Sequence, residues 1–332
     1  MPELRVQIEG IRQNAETVSD ILRRHGLELV GVTKGCLGEP RVAAAMLEGG
    51  ATALADTRDL NLRKLRAALP GVELQRIYLP STRCPFEPGD ITYVSTVEGA
   101  KAVAALDISG EPRRVMVQVE TGDEREGIPV ERLVHLAEVI ADDPRLELAG
   151  LATNYACFRG VPGAVRESVA TVAEAARVLR SGGFAISRVS GGNSSLLWLL
   201  ARGERLPAEV TELRCGEALL LGQDALFYES LEGCVQDACL LRAEVLEEYT
   251  KPAREGAKRR LVLGLGRQDL GSGQVRFVQP GLAEVGRSAD YLVAEAEESC
   301  PGTRVGSLLD MVPTYESLVA AWTSPYVEIK LL

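Results

Sequence analysis

Short apolar runs alternate along this chain with longer segments in which apolar residues recur every three or four positions. The first pattern is typical of buried strands and the second of helices that bury one face. A helix is predicted over about residues 9–25, followed by the apolar run LELVGVTK, which ends at Lys34. The alternation continues to about residue 222 and predicts eight strands, with helices between nearly all of them.

Strands that alternate with helices favour an α/β fold with a parallel sheet, and eight such strands favour closure into a (β/α)8 barrel. An open doubly wound sheet is the alternative. The barrel is preferred because polar or glycine-rich residues recur where the strands end, and in a barrel those ends meet at one rim. The residues at these strand ends are Lys34, Asp56, 121–125, Thr153, Asn154, 191–195 and Arg214.

After about residue 225 the pattern changes to strand-like runs separated by Gly, Pro and charged residues. These runs read ACLLRAEVLEEY, RRLVLGLG, ADYLVAEA and SPYVEIK. The pattern therefore predicts a barrel over residues 1–225 and a smaller, mainly β domain over residues 226–332. It also allows the extreme N-terminus to pack on the β domain. A chain of 332 residues is long enough for this arrangement.

Composition narrows the range of partners. The chain has 37 Lys and Arg against 47 Asp and Glu, and its net charge of −10 disfavours nucleic acid as a partner.

No stretch approaches the roughly 18 apolar residues of a membrane span, and the start MPELRVQIEG lacks a secretory pattern, so we expect a cytoplasmic protein. Seven cysteines without a CxxC pair and only two histidines, His25 and His135, argue against disulfides and a metal site.

Three segments at the predicted rim carry candidate chemistry. Lys34 ends a strand, where its amine is a candidate for forming a Schiff base. The stretch SGGNSS leads from a strand into a helix, and its glycines, hydroxyls and helix-start N–H groups suit a phosphate. An ordinary capped glycine turn is the other interpretation. The stretch ELRCGE places Arg214 at the end of the last strand, with Gly216 and Glu217 beside the same anion. A salt bridge is the other interpretation of Arg214.

Taken together, these segments would hold pyridoxal phosphate across the barrel mouth. The lysine would bind one end of the cofactor, the segments after the last two strands would bind the phosphate, and Arg214 would meet the pyridine nitrogen.

Segments in the same order along nearly the whole chain resemble the ornithine racemase branch of the alanine racemase group. They read VTKG, DTRDLNLRKL, ETGDEREG, TNYACFRGV, VSGGNSS, LRCGEALLLG, GLGRQD and TSPYV. The resemblance implies a pyridoxal 5'-phosphate enzyme of fold type III, with a (β/α)8 barrel and a C-terminal β domain. It also implies a homodimer in which the partner's C-terminal domain closes each active site.

The resemblance gives roles to individual residues. Lys34 matches the lysine that binds the cofactor and exchanges the α-proton on one face of the substrate. Arg214 matches the arginine bonded to the pyridine nitrogen, and a guanidinium that keeps its proton leaves the ring uncharged, which favours return of the proton to Cα. Asn154 matches the residue beneath the ring, and Arg125 matches an arginine that organises the site from the fifth strand. The phosphate-binding positions match Ser194, Ser195, Gly216, Glu217 and Tyr315.

The chain departs from the alanine racemase pattern at the residue that exchanges the proton on the opposite face. That residue is a tyrosine in a turn of the partner's C-terminal domain, whereas this chain reads LGLGRQDL there. Racemisation needs proton exchange on both faces, so another group takes this part or Lys34 serves both faces. The candidate groups are Asp269, Asp290, Tyr155 and Cys157.

The turn that replaces the tyrosine is itself a candidate for binding substrate. Arg267, Gln268, Asp269 and Asp290 could bind a substrate carboxylate or ammonium, with Asp290 as the expected substrate-binding residue. Exposed turn residues without such a role are the alternative.

The preferred interpretation is a pyridoxal-phosphate-dependent racemase of ornithine or another basic amino acid. Three alternatives remain: an alanine or broad-specificity racemase, a non-catalytic pyridoxal phosphate carrier, and a metal-dependent aldolase or deaminase of D-amino acids. The missing turn tyrosine disfavours alanine racemase, and the residues beyond the barrel disfavour a carrier built from the barrel alone. The scarcity of histidine disfavours the zinc enzymes.

Overall fold

The computed structural model describes residues 1–106, 110–157, 161–253, 256–297, 300 and 303–332. The chain forms two compact units. The larger unit consists of Ile11–Lys34 and Gly38–Cys234, and the smaller consists of Met1–Gly10, Gly35–Leu37 and Val235–Leu332. The chain begins with strand β1 (Glu3–Val6) and helix α1 (Ile8–Arg24).

The larger unit is built on a closed barrel of eight parallel strands, which confirms the predicted barrel and excludes the open sheet. Pairing of the first barrel strand with the last, with Gly31 opposite Cys215, closes the ring. The barrel strands are β2 (Glu28–Val32), β3 (Ala53–Asp56), β4 (Leu74–Arg76), β5 (Ile91–Val94), β6 (Arg113–Gln118), β7 (Leu146–Ala152), β8 (Arg188–Asn193) and β9 (Glu212–Cys215).

Helices follow all of the barrel strands except β4, after which the described residues 77–90 form no helix. The helices are amphipathic, as the sequence pattern requires: Leu133, Leu136, Ala137 and Ile140 form the buried face of the helix after β6. The helices are α2 (Pro40–Glu48), α3 (Asp59–Ala68), α4 (Val97–Ala104), α5 (Val130–Ala141), α6 (Val165–Ser181), α7 (Leu197–Ala201) and α8 (Glu217–Leu221).

Two predicted boundaries differ from the structure. The first barrel strand ends at Val32, and Lys34 begins a single 3-10 turn, Lys34–Cys36. In SGGNSS both Gly191 and Gly192 lie inside β8, which extends to Asn193, and the 3-10 turn begins only at Ser194, so the alternative interpretation as a glycine turn is wrong. A Cβ at Gly191 would lie 2.8 Å from a methyl group of Val210, so close packing explains this glycine.

A partly buried network of ion pairs joins residues at the amino ends of the barrel strands. Arg188 bonds through Nη1 to Glu73 Oε1 at 2.5 Å and through Nε to Glu212 Oε2 at 2.8 Å. Arg114 Nη1 donates to Glu73 Oε2 at 3.1 Å. Burial disfavours the charged form of Glu73, but the hydrogen bonds from the two arginines outweigh it and hold the pKa of Glu73 below its usual value. This end of a barrel serves stability rather than catalysis.

The smaller unit is a β-sheet with two helices. Besides β1, its strands are β10 (Cys239–Ala253), β11 (Gly256–Leu263), β12 (Val275–Phe277), β13 (Leu282–Arg287), β14 (Leu292–Ala296), β15 (Leu308–Pro313) and β16 (Glu328–Leu331), and the helices are α9 (Arg267–Leu270) and α10 (Tyr315–Thr323). The strand order is β12-β15-β10-β11-β14-β13, and β1 pairs with β10 and β16, so the N-terminal strand is part of this sheet. The sequence pattern indicated β10, β11, β14 and β16 and missed β1, β12, β13 and β15.

Over the described part of the chain, no helix has both the length and the apolar character needed to cross a membrane.

Candidate active site

Lys34 lies at the carboxyl end of the barrel, two residues after β2. Its side chain is partly buried, and no described residue forms a hydrogen bond or ion pair with it. The neighbouring strand end belongs to β9, and a Cβ at Gly216 would lie 3.0 Å from the Val32 carbonyl oxygen. Lys34 and the start of α8 therefore follow adjacent strands, and within the described ranges the lysine amine has no bonding partner.

Arg214 lies inside the barrel on β9 and is only 5% exposed. Its Nη2 donates to the Thr153 carbonyl oxygen at 2.7 Å, and its Nη1 donates to Ser190 Oγ. The guanidinium also lies over the ring of Tyr93, with Cζ 5.1 Å from the ring centroid. No carboxylate among the described residues pairs with Arg214, so the salt-bridge interpretation of this residue is wrong. A buried cation with only neutral protein partners is costly unless a ligand also uses it.

The candidate phosphate site is formed where the segments after β8 and β9 meet. Ser194 Oγ accepts a hydrogen bond from the Ala218 N–H at 3.4 Å, which joins the 3-10 turn Ser194–Leu196 to the first turn of α8. Both hydroxyl side chains of this turn, Ser194 and Ser195, are buried. The start of a helix presents N–H groups that lack intrahelical acceptors. Burial raises the pKa of the adjacent Cys215 thiol to about 12, so no thiolate repels an anion there.

A hydrogen-bonded network links this turn to the loops after β6 and β7. The Asn193 carboxamide accepts from the Ser195 N–H at 2.8 Å and donates to Asn154 Oδ1 at 3.1 Å. Asn154 in turn donates to Asp123 Oδ2 at 3.3 Å. The other oxygen of Asp123 accepts from the Cys157 N–H at 3.2 Å. The network fixes the orientation of the Asn154 amide, since both of its ends are engaged.

Cys157 and Arg125 lie at the exposed edge of this network. Cys157 Sγ is 3.3 Å from Asn193 Nδ2, and the residue is exposed. Arg125 forms a two-bond pair with Glu126, and its Nε lies 3.8 Å from Asp123 Oδ2. Hydrogen bonding to Glu126 raises the pKa of Arg125, so the guanidinium stays charged. Residues 158–160 of the segment TNYACFRGV lie outside the described residues.

The predicted site residues of the smaller unit are engaged within that unit. Asp269 is buried, and its two oxygens accept from the Gly266 N–H at 3.0 Å and from Ser324 Oγ at 2.9 Å. Gln268 Nε2 donates to Asp290 Oδ1 at 2.9 Å, and both residues are exposed. Tyr315 is the first residue of α10. The Asp269 carboxylate therefore holds the turn that presents Gln268, and its predicted role in proton exchange stays a prediction.

Several residues of this site could not be singled out from the sequence. Ser190 and Asn193 stand in SGGNSS and Asp123 stands in TGDEREG, but nothing in these motifs separates the three residues from their neighbours. Tyr93 lies in the apolar run ITYV, which carries no functional signal. In the part of the chain that the structure describes, no group of three or more His, Cys, Asp and Glu residues could hold a metal ion.

The residues present fit pyridoxal phosphate. Three features occur at the carboxyl end of one barrel: an amine and a buried guanidinium that pair with no carboxylate among the described residues, and a buried hydroxyl-lined turn beside a second helix start. Lys34 would bind the aldehyde carbon, Arg214 would face the pyridine nitrogen, and Ser194, Ser195, Gly216 and Glu217 would surround the phosphate.

Comparison with known proteins agrees with this geometry. The family described as "Alanine racemase, N-terminal domain" matches residues 6–224. A lysine racemase from Thermotoga maritima is 31% identical to this chain over an alignment 354 residues long, gaps included, which covers 98% of this chain and 97% of the relative. An ornithine racemase from Acetoanaerobium sticklandii is 26% identical, and the alignment covers 100% of this chain and 99% of the relative.

Solved structures resemble the chain over its whole length. The alanine racemase from Corynebacterium glutamicum superposes with a TM-score of 0.76 at 16% identity and covers 100% of this chain and 99% of its own. D-threo-3-hydroxyaspartate dehydratase from Delftia sp. HT23 gives a TM-score of 0.78 at 18% identity, covering 100% of this chain and 94% of its own. At these identities the likeness shows the shared fold alone.

Proposed function

The chain belongs to the alanine racemase family, and on that premise we propose that it interconverts the L- and D-forms of ornithine or another basic amino acid with pyridoxal 5'-phosphate. The observation that carries this proposal is the position of two cations on adjacent strands of one barrel: Lys34 follows β2, and the buried Arg214, which pairs with no carboxylate among the described residues, lies on β9. The lysine and ornithine racemases among its relatives support the choice of a basic amino acid.

The protein's own groups account for the chemistry on one face of the substrate. When bound, pyridoxal phosphate supplies an aldehyde that takes up the substrate amine and a ring that withdraws electrons from the α-carbon. Lys34 Nζ holds the cofactor until substrate arrives and then accepts and returns the α-proton on its own face. Arg214 would donate a hydrogen bond to the pyridine nitrogen, where a guanidinium is a hydrogen-bond donor and not a source of a proton for the ring. This contact would favour return of the α-proton from Lys34 to Cα.

The experiment that tests this function is chiral chromatography of the purified protein incubated with pyridoxal phosphate and L-ornithine, L-lysine or L-alanine. We expect ornithine or lysine to approach equal amounts of the two enantiomers at least about tenfold faster than alanine, since a site built for a charged group loses that interaction with a methyl side chain. Fastest turnover of alanine would favour an alanine racemase, and no inversion of any substrate would favour a non-catalytic carrier.

Cys157 is the proposed group for proton exchange on the second face. Its sulfur is exposed at the rim, near the charged Arg125 and 3.3 Å from Asn193 Nδ2. Two of the other candidate groups are buried: Tyr155 Oη lies 3.3 Å from the Val161 N–H, and both oxygens of Asp269 are bonded. The third, Asp290, is exposed on the smaller unit and accepts from Gln268. A general base must be within reach of the proton it removes, so an exposed group at the rim suits this task.

Deuterium exchange distinguishes the two faces. In Cys157→Ala we expect the rate of inversion to fall by about 10² to 10³-fold, the contribution typical of a positioned acid or base. The enantiomer whose α-hydrogen faces Lys34 should still exchange that hydrogen with D2O, whereas the other enantiomer should not. Chiral separation followed by mass spectrometry measures both. Cys84→Ala, which also removes an exposed thiol, is the matched control. Undiminished inversion in Cys157→Ala would show that another group supplies this proton.

We also propose that the protein works as a homodimer with composite active sites. The proposal rests on the family, because the racemase fold places a partner's C-terminal domain over each barrel mouth. The exposed Arg267, Gln268 and Asp290 of the smaller unit are polar groups that suit contact with an amino-acid substrate, with Asp290 as the acceptor for its ammonium. If Cys157→Ala inverts its substrate as fast as the wild type, the second proton-exchange group is expected in this turn of the partner's smaller unit.

A further inference from the structure

Tyr93 lies inside the barrel in direct contact with Arg214. The ring is 2% exposed, and the Arg214 Cζ atom lies 5.1 Å from its centroid, within the range of a cation–π interaction. The Tyr93 hydroxyl donates to Gln75 Oε1 at 2.9 Å, and Gln75 is fully buried on β4. Three strands, β4, β5 and β9, thus contribute one buried row of side chains that ends at the guanidinium.

The hydrogen bonds of Arg214 fix only one edge of its guanidinium. Thr153 O and Ser190 Oγ each accept from one terminal nitrogen, and the group can still tilt by rotating about the line through these two nitrogens. An aromatic face beneath the guanidinium supplies negative electrostatic potential to a buried cation and fills the space into which the group could tilt. Burial raises the pKa of Tyr93 to about 12, so the phenol stays neutral and keeps donating to Gln75.

We propose that Tyr93 is a positioning residue that holds the Arg214 guanidinium against the pyridine nitrogen, with Gln75 fixing the ring. This inference rests on the proposed function, because it concerns how Arg214 meets the cofactor. The ring face, rather than the hydroxyl, does the positioning, and the hydroxyl contributes to the stability of the barrel through Gln75. Replacing the ring should therefore alter the affinity for pyridoxal phosphate and the product ratio, and removing only the hydroxyl should alter neither.

Two replacements of Tyr93 separate these contributions in the full-length protein. In Tyr93→Leu we expect the dissociation constant for pyridoxal phosphate, from fluorescence titration of the cofactor-free protein, to rise about tenfold, as expected for loss of a desolvated cation–π contact. The share of keto acid among the products should rise as well. A tilted Arg214 would no longer donate to the pyridine nitrogen, and return of the proton to Cα would be less favoured. Tyr93→Phe should stay within about twofold of the wild type in both measurements.

Ile91→Ala is the control for general damage to the barrel. Ile91 is fully buried on the same strand and belongs to the same core cluster as Tyr93. We expect this variant to unfold more easily, with the product ratio unchanged. The proposal is overturned if Tyr93→Leu matches the wild type in cofactor affinity and product ratio, or if Ile91→Ala reproduces its effects.

The same titration separates failure of this inference from failure of the proposed function. If the wild-type protein binds no pyridoxal phosphate, the proposed function and the role of Tyr93 fail together. If the wild type binds the cofactor and racemises its substrate while Tyr93→Leu is unaltered, only the role of Tyr93 fails.

Discussion

Replacement of Lys34 by alanine is expected to lower racemisation by at least about a thousandfold, because one group is removed that both holds the cofactor and exchanges the α-proton. The structure gives this lysine no protein partner among the described residues, so its loss leaves no buried charge behind. We therefore expect the variant to fold normally, and the loss should appear in the chemistry alone. Initial rates of inversion, followed by chiral chromatography, measure it.

Chemical trapping identifies the lysine directly. Treatment of the wild-type protein with borohydride in the presence of pyridoxal phosphate should attach the cofactor to Lys34, as seen by mass spectrometry of peptides. Lys101→Ala is the matched control, since Lys101 is an exposed lysine on α4. That variant should retain full activity and the same labelled peptide. A label on another lysine, or an active Lys34→Ala, would refute the role of Lys34.

Replacement of Arg188 by leucine is expected to cost about 3 to 5 kcal/mol in the free energy of unfolding, because it leaves a buried carboxylate without its partner. The Glu212 side chain is only 1% exposed, and Arg188 donates to it through Nε at 2.8 Å. Glu73 also loses a bond, but it keeps Arg114 at 3.1 Å. The destabilisation should therefore come mainly from Glu212. Urea denaturation followed by circular dichroism measures it.

A double replacement tests this explanation. Arg188→Leu combined with Glu212→Leu removes the stranded charge as well, and we expect it to recover most of the lost stability. Arg166→Leu breaks an exposed pair with Glu204 and should change stability little, since exposed ion pairs contribute little. A double variant no more stable than Arg188→Leu would show that the loss comes from packing and not from the buried carboxylate.

The barrel could be predicted because its information is local. Alternation of apolar runs with amphipathic segments determines strands and helices, and eight such units leave few arrangements that bury every apolar face. The positions of Lys34 and Arg214 followed from the same logic, because residues at the ends of parallel strands must meet at one rim. The strands β12, β13 and β15 were missed because each is interrupted by a charged residue and no helical segment separates it from its neighbours along the chain.

The sequence by itself determined the barrel and the residues at the ends of its strands, since each depends on periodicity or on a continuous motif. The proposed contacts of these residues with the cofactor came from the family resemblance. Only the tertiary structure decided which distant residues meet. Arg188 and Glu73 are 115 positions apart, and Tyr93 reaches Arg214 only because strand register and barrel closure turn both side chains inward. The bonds of Asn193 to Asn154 have the same origin. Side chains point alternately to the two faces of every strand, and this follows from the sequence order alone. Which side chains of other strands they contact is fixed only when the strands pair, and that pairing is a property of the folded chain.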